Sequence, residues 1–300
     1  MTNIAFIGLG NMGGLMAANL AKARHAVLGF DLVPDLCDAA EKTGVMIADS
    51  VQEAVRGADV IITMLPTGKH VLAVWRDIMQ SARQSTMIID CSTIDVASAR
   101  QAHEIALESG LIAMDAPVSG GTAGAKAGTL TFMCGGHRAA FTVARPVLEL
   151  MGRKIVHCGD EGAGQAAKIC NNMILGATMI ATCEAFVLAE KLGLEHQALF
   201  DVASTSSGQS WSMTSYCPVP GPVASSPANT AYKPGFAAAL MLKDLTLAQE
   251  AAQAAGAMTP LGAHAAELYA RFVEAGNGGQ DFSGIIEWLR AQGRAQTGAS

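Results

Sequence analysis

Lys168 stands in the segment Gly162-Ala163-Gly164-Gln165-Ala166-Ala167-Lys168-Ile169-Cys170-Asn171-Asn172, at the head of a long apolar stretch. The run Met173-Ile174-Leu175-Gly176-Ala177 follows at once, and an ammonium suits such company only if it has a partner or a task. Asn171 and Asn172 lie at i+3 and i+4, which puts the three side chains on one face if the segment is helical. A cation flanked by two amides is equipped to grip and deprotonate a small polar molecule. A lysine near a helix end also snorkels to solvent without any chemical role, so the case for chemistry depends on what else the chain carries.

It carries a phosphate cradle. Gly8-Leu9-Gly10-Asn11-Met12-Gly13 fits the spacing G-x-G-x-x-G, follows the apolar run Ile4–Ile7 and opens a helical pattern. In that context Gly8 makes the tight turn, Gly10 lets backbone approach a pyrophosphate, and Gly13 lets helix pack on strand. The helix start then offers unpaired N–H groups and a positive dipole end to the phosphates. Asp31 ends the second apolar run about twenty residues later, where a carboxylate can accept from ribose hydroxyls and repel a 2′-phosphate. Leu32, Val33 and Pro34 follow it with no Arg, which favours NAD over NADP. Leu65, Pro66 and Thr93 close two further runs and are candidates to line the same dinucleotide, since open α/β sheets bind ligands beyond the carboxyl ends of their strands.

Two other groups suit an anionic substrate. Asp115-Ala116-Pro117-Val118-Ser119-Gly120-Gly121 ends a strand-like run in a hydroxyl and two glycines. Successive unobstructed N–H groups make a nest for a carboxylate, and Ser119 adds a donor. Met241-Leu242-Lys243-Asp244-Leu245 sets a second lysine beside an aspartate in an apolar helical pattern. Lys243 could supply charge near cofactor or substrate and Asp244 could orient it; an ordinary surface ion pair has the same appearance.

The elements that must hold these residues fall into two kinds. Strand patterns at Ile4–Ile7, Ala26–Phe30, Val60–Met64, Met87–Asp90, Ala113–Ala116, Thr131–Cys134 and Ile155–Cys158 alternate with helical patterns. The helical ones are Met12–Ala23, Val33–Glu41, Val51–Val55, Asp95–Glu108 and Ala139–Met151, so this part reads as a doubly wound parallel sheet. From Gly164 to Lys191 the pattern is one long helix, and helices follow at His196–Ala203, Phe236–Ala255, Leu261–Glu274 and Ser283–Leu289 with no further strand. The expectation is a Rossmann-type α/β domain over residues 1–162, joined through the long helix to an all-α domain over 163–300. Ser204 to Gly235 is rich in Ser, Pro and Gly and carries Trp211 and Tyr216; so long an irregular segment is usually functional. Gly293 to Ser300 reads as a frayed end.

Composition excludes several classes. Of 300 residues half are hydrophobic, 15% are charged and the net charge is -6, which argues for a packed core and against general attraction to nucleic acid or anionic membranes. Any anionic substrate therefore needs a local positive pocket. The seven cysteines form no C-x-x-C pair and no His cluster has ligand spacing, so no metal is expected and the thiols read as reduced and cytosolic. Met1-Thr2-Asn3 leads directly into the first strand, so no presequence is expected. The uncharged run Met173–Cys183 is too short to span a bilayer and reads as a core helix.

Five of these motifs, in this order, make the chain resemble the β-hydroxyacid dehydrogenase family almost end to end. They are Phe6–Gly13; Asp115–Thr122 with Gly128-Thr129-Leu130; Gly162-Ala163-Gly164 through Lys168 to Asn172; Ser206-Ser207-Gly208 with Trp211; and Lys243-Asp244-Leu245 with Leu247-Ala248. The resemblance implies that Lys168 is the catalytic acid/base, that Ser119, Gly120 and Gly121 hold a substrate carboxylate, and that Asn172 and Asn171 position the substrate. It implies that Lys243 and Asp244 close the site, and it extends the substrate-binding set to Trp211 and Tyr216 and the cofactor-binding set to Leu9, Asn11, Met12 and Lys243. The stretches Trp211–Pro220 and Thr122–Ala125 resemble the branch that oxidises 3-hydroxyisobutyrate to methylmalonate semialdehyde in valine breakdown. L-serine oxidation and tartronate semialdehyde reduction are the neighbouring alternatives, and a non-catalytic nucleotide-binding oligomerisation module is a remote one. A lysine has an ordinary pKa of about 10.4, so serving as base requires burial or nearby positive charge to lower it. Leu242, Lys126, Cys217 and a shortened connection from about Val71 to Met87 depart from the family pattern. A homodimer or homotetramer is expected, because the long apolar helix exceeds what one small helical domain covers.

Overall fold

The computed structural model describes residues 1–297, with side chains described through residue 293. Two compact units emerge, Met1–Lys168 and Ile169–Ser300, so the division by packing falls inside the long helix, a few residues beyond the point read from sequence.

The first unit is built on nine strands: β1 (Asn3–Ile7), β2 (Ala26–Phe30), β3 (Met46–Ile47), β4 (Val60–Thr63), β5 (Met87–Asp90), β6 (Ile112–Asp115), β7 (Val118–Ser119), β8 (Leu130–Gly135) and β9 (Gly152–Gly159). Their order is β3-β2-β1-β4-β5-β6-β8-β7, with β9 paired to β8. The first six run parallel in the 3-2-1-4-5-6 order of a dinucleotide-binding sheet. The sheet is not parallel throughout: β8 runs antiparallel to β6 and to β7, because Val118-Ser119 turns back through a short helix instead of a full crossover. The short runs β4 and β5 are buried at every residue, as strands covered on both faces must be.

Its helices are α1 (Gly13–Lys22), α2 (Pro34–Glu41), α3 (Val51–Val55), α4 (Gly68–Met79), α5 (Val96–Glu108), α6 (Gly121–Ala127) and α7 (Arg138–Leu148). They divide the core into two apolar layers, one around Phe6, Met16 and Phe132 and the other around Ile61, Trp75 and Ile88. The connection before Met87 contains α4, a helix absent from the sequence reading. Thr67 caps it by accepting from His70 N–H, and Val71, Trp75 and Ile78 are buried at helical spacing. Gly121–Ala127, to which no element was assigned from sequence, is helical as well.

Helix α8 (Ala163–Lys191) is 29 residues long, beginning in the first unit and continuing into the second. The second unit continues with α9 (His196–Ala203), α10 (Trp211–Thr214), α11 (Ala238–Ala255), α12 (Pro260–Phe272) and α13 (Ile285–Thr297). Among the described residues the pairing found after Gly159 is one isolated bridge, Ala237 with Asp281. Although the uncharged stretch of α8 is short, the helix as a whole is long and apolar enough to cross a membrane by length and composition. The core helix of a globular unit has the same character, and Met179, Ile180, Cys183 and Phe186 are buried in the helical core here. Helix α13 extends to Thr297, past the expected fraying at Gly293; residues 298–300 of that expectation lie outside the described residues. All seven cysteines are free thiols.

Candidate active site

The glycine turn is shaped for a ligand. A Cβ on Gly8 would collide with the Met64 carbonyl oxygen and one on Gly13 with the carbonyl oxygen of Gly8, so both positions are closed to any larger residue. At Gly10, by contrast, a Cβ would meet nothing of the chain within 4 Å. Its smallness serves no packing need of the protein and leaves room for something else to approach. Asn11 is exposed, Met12 half-buried, and α1 starts with no acidic residue in its first turn and no side-chain cap. Its first N–H groups are therefore open to an anion. Asp31 is held facing this turn: one carboxylate oxygen accepts from Leu9 N–H at 2.7 Å and the other from Val33 N–H at 3.0 Å. Each oxygen keeps a lone pair for a ribose hydroxyl. The residues present fit a dinucleotide.

Leu65, Pro66 and Thr93 stand at the ends of β4 and β5. Leu65 and Thr93 are half-buried and Pro66 is exposed. Sequence reading missed what holds these loops. Ser92 Oγ accepts from Leu65 N–H at 2.7 Å and donates to Asp90 at 2.6 Å. The same Asp90 oxygen accepts from Thr63 Oγ1 at 2.7 Å, while its other oxygen, also buried, has no partner among the described residues. Burial raises the Asp90 carboxyl to about 6, against the hydrogen bonds from Ser92 and Thr63 that pull it down.

At the end of β7, Ser119 is half-buried, and Gly120 and Gly121 have φ of +134° and +60°. Both lie in the left-handed region that favours glycine, Gly120 capping α6 and Gly121 opening it. Lys168 is buried at 6% exposure, five residues into α8. The start of α8 is pinned by Asp115, whose two oxygens accept from Gly162 N–H and Gln165 N–H, each at 2.9 Å. His103 Nε2 lies 3.1 Å from the same carboxylate. Gly164 allows the close approach, since a Cβ there would strike the Met133 carbonyl oxygen. A buried acceptor on two leading N–H groups does what a local cap does for an ordinary helix. Neither Asp115 nor Gln165 was singled out as functional; the available signal was an Asp closing a strand just as Asp31 and Asp90 do.

In the helical unit Asn172 is buried and donates from Nδ2 to Asp244 Oδ2 at 2.5 Å. Asp244, on α11, is buried too, and its neighbour Lys243 is half-buried. Asn171 departs from expectation. It is exposed and donates to Asn172 Oδ1 at 3.0 Å. At 100° per residue, i+3 falls some 60° round the helix from Lys168 and i+4 only 40°, so only Asn172 turns inward. Trp211 is half exposed, at 51%, and its ring stacks on Tyr216 at 4.8 Å. The Tyr216 hydroxyl is already engaged, donating to Asp281 at 2.8 Å, so Tyr216 offers its ring to a ligand more readily than its hydroxyl. Burial, and then the Asp281 charge, push that phenol far above its ordinary value.

Comparison with known proteins agrees with this geometry. Residues 3–159 match the family described as the NAD-binding domain of 6-phosphogluconate dehydrogenase. Residues 162–289 match the NAD-binding family of NADP-dependent 3-hydroxyisobutyrate dehydrogenase. A probable 3-hydroxyisobutyrate dehydrogenase of Mycobacterium tuberculosis is 54% identical over 98% of this chain and 100% of its own length. An NAD-dependent L-serine dehydrogenase of Pseudomonas aeruginosa is 48% identical over 94% of this chain and 96% of that protein. The solved structure of M. tuberculosis 3-hydroxyisobutyrate dehydrogenase with L-serine superposes with a TM-score of 0.94 at 54% identity, covering 97% of this chain and 99% of that one. With a dinucleotide turn, a nest of glycines and a lysine-bearing helix in place, and with relatives matched over nearly their whole length, the chain is an oxidoreductase that uses a nicotinamide dinucleotide and belongs to the β-hydroxyacid dehydrogenase family, on its 3-hydroxyisobutyrate dehydrogenase side.

Proposed function

We propose that this protein oxidises 3-hydroxyisobutyrate to methylmalonate semialdehyde with NAD, Lys168 taking the hydroxyl proton. The observation that carries the reading is a buried lysine on a helix whose start is anchored by Asp115. When bound, the nicotinamide supplies hydride acceptance from the carbinol carbon. The turn Ser119-Gly120-Gly121 takes the substrate carboxylate through its N–H groups and hydroxyl, and Asn172, held by Asp244, orients the hydroxyl. Lys168 Nζ accepts the hydroxyl proton as the carbonyl forms and returns it in the reverse direction. Lys243 adds positive charge, and Trp211 and the Tyr216 ring bound the small substituent. The work is done in the cytoplasm by a dimer or tetramer; exposed Ile174 and Leu188 on α8, with Leu192 just past its end, support a protein partner of the same kind. Neither nucleic acid nor membrane enters this reading.

L-serine is the second substrate to weigh, because the P. aeruginosa relative is an L-serine dehydrogenase by name and the M. tuberculosis enzyme has been solved with L-serine. The rates of NADH formation with 3-hydroxyisobutyrate and with L-serine decide between them, the former expected to have the higher kcat/KM. Lys168→Ala should lower kcat by about 1,000-fold while NADH still binds. Near-normal turnover in that variant would remove the acid/base assignment.

The family description for residues 162–289 names NADP, whereas Asp31 argues for NAD. Asp31 supports NAD, because a carboxylate fixed by two N–H groups at the end of β2 would repel a 2′-phosphate on the ribose. Asp31→Ser should narrow the preference for NAD by about tenfold or more. An unchanged NAD/NADP ratio of kcat/KM would mean that Asp31 does not read the ribose.

A further inference from the structure

We propose that Gln165 is a positioning residue of this reaction, its side-chain amide fastening the loop that carries Thr93 to helix α8 one turn ahead of Lys168. The inference rests on the assignment of Lys168 as acid/base. Gln165 is completely buried. Its Nε2 donates to the Ser92 carbonyl at 2.8 Å, and its Oε1 accepts from Ile94 N–H at 3.1 Å. The two bonds bracket Thr93, as one rung of a sheet would. A neutral amide presents a donor and an acceptor side by side in one plane at every pH, which is what a carbonyl and an N–H two residues apart require. From Ser92 the connection continues through its hydroxyl to Leu65 N–H, so one side chain at the base of α8 ties in the loops after both β4 and β5. The backbone N–H of Gln165 is meanwhile fixed by Asp115. The loops assigned to the dinucleotide and the helix turn that carries the lysine are thereby held as one body, and a shift of either by an ångström would misplace donor and acceptor.

The charged and titratable groups around this amide are Asp115 on β6, with His103 of α5 against it, Asp90 at the end of β5, and Lys168 on the same helix. They make Gln165→Glu a sharp test. Protonated, the new carboxyl still donates to the Ser92 carbonyl and accepts from Ile94. Ionised, it sets an oxygen against that carbonyl and breaks the clamp. Burial and the two nearby aspartates hold the new carboxyl protonated to a higher pH than an exposed glutamate. Its kcat relative to wild type at the same pH should therefore lie within about threefold at pH 6 and fall about 100-fold by pH 9. Gln165→Met, neutral throughout, should lower kcat by a similar factor at every pH, with a flat ratio. A flat Gln165→Glu ratio near one, or a folded Gln165→Met with wild-type kcat, overturns the proposal; if the Glu variant does not fold, the Met variant alone decides. Lys168→Ala run in parallel separates the two ideas. Should it keep turnover, the acid/base assignment fails; should it be inactive while both Gln165 variants turn over normally, only the clamp fails.

Discussion

Asp115 and Asp281 solve the same problem in two parts of the molecule with different economies. Each is buried to 1% exposure or less and each collects backbone N–H groups. Asp115 needs only Gly162 and Gln165, with His103 alongside, because the helix it starts carries its own ladder from there on. Asp281 accepts from Gly235 N–H, Phe236 N–H, Ser283 N–H and the hydroxyls of Ser283 and Tyr216. Its segment has no ladder, so one carboxylate must substitute for many missing rungs. Regular elements need an anchor at one end; irregular ones need an anchor at their centre, and the ring of Trp211 takes its place through that centre by way of Tyr216.

The comparison predicts an order of damage. Asp281→Ala orphans five donors, several of them buried, and should cost on the order of 5 kcal/mol in urea unfolding. Asp115→Ala orphans two buried N–H groups and should cost about 3 kcal/mol. If Asp115→Ala proves the more destabilising, the contrast between end and centre is wrong. A separate distinction can be drawn inside the glycine turn. Gly13→Ala drives a Cβ into a backbone carbonyl and should cost about 3 kcal/mol whether or not cofactor is present. Gly10→Ala meets no atom of the chain, so the unfolding midpoint of the free protein should hold while NAD affinity falls about tenfold or more. Equal effects of Gly10→Ala on stability and affinity would show that its smallness serves packing after all.

The same contrast explains what was legible in the sequence. The sheet, its glycine turn and Asp31 were readable because strand, turn and helix impose local periodicity and spacing. Helix α4 escaped because Gly68-Lys69-His70 opens it with polar residues, although Thr67 and the 71-75-78 spacing carried the information. The antiparallel β7–β8 pairing escaped because two residues make no pattern. Helical spacing put Lys168, Asn171 and Asn172 near one another on one helix; burial then separates them, Lys168 and Asn172 being buried and Asn171 exposed. Asp115, Asp90, Gln165 and Asp281 act across long chain separations, as in the bond from Gln165 to Ser92, and no local signal reports such partnerships.

Asp90 tests how far a buried carboxylate can go underfilled. Where Asp281 uses both oxygens, Asp90 collects its donors on one, and the other has no partner among the described residues. Burial dominates and its carboxyl rises from 3.8 to about 6. The sign follows directly. Between those values the folded chain binds more protons than the unfolded one, so this group's contribution to stability is complete below about pH 4 and is lost as pH rises through about 6. A shift of this size corresponds to on the order of 3 kcal/mol, as an upper bound. Asp90→Asn keeps an acceptor for Thr63 and Ser92 but cannot ionise. Its own cost, an amide nitrogen where the second oxygen was, does not vary with pH. The informative quantity is therefore the change in the gap between variant and wild type: the Asn variant should gain on wild type steadily from pH 4 to pH 7. A gap that stays constant over that range would mean Asp90 is ionised throughout, and that its second oxygen is satisfied as fully as those of Asp281.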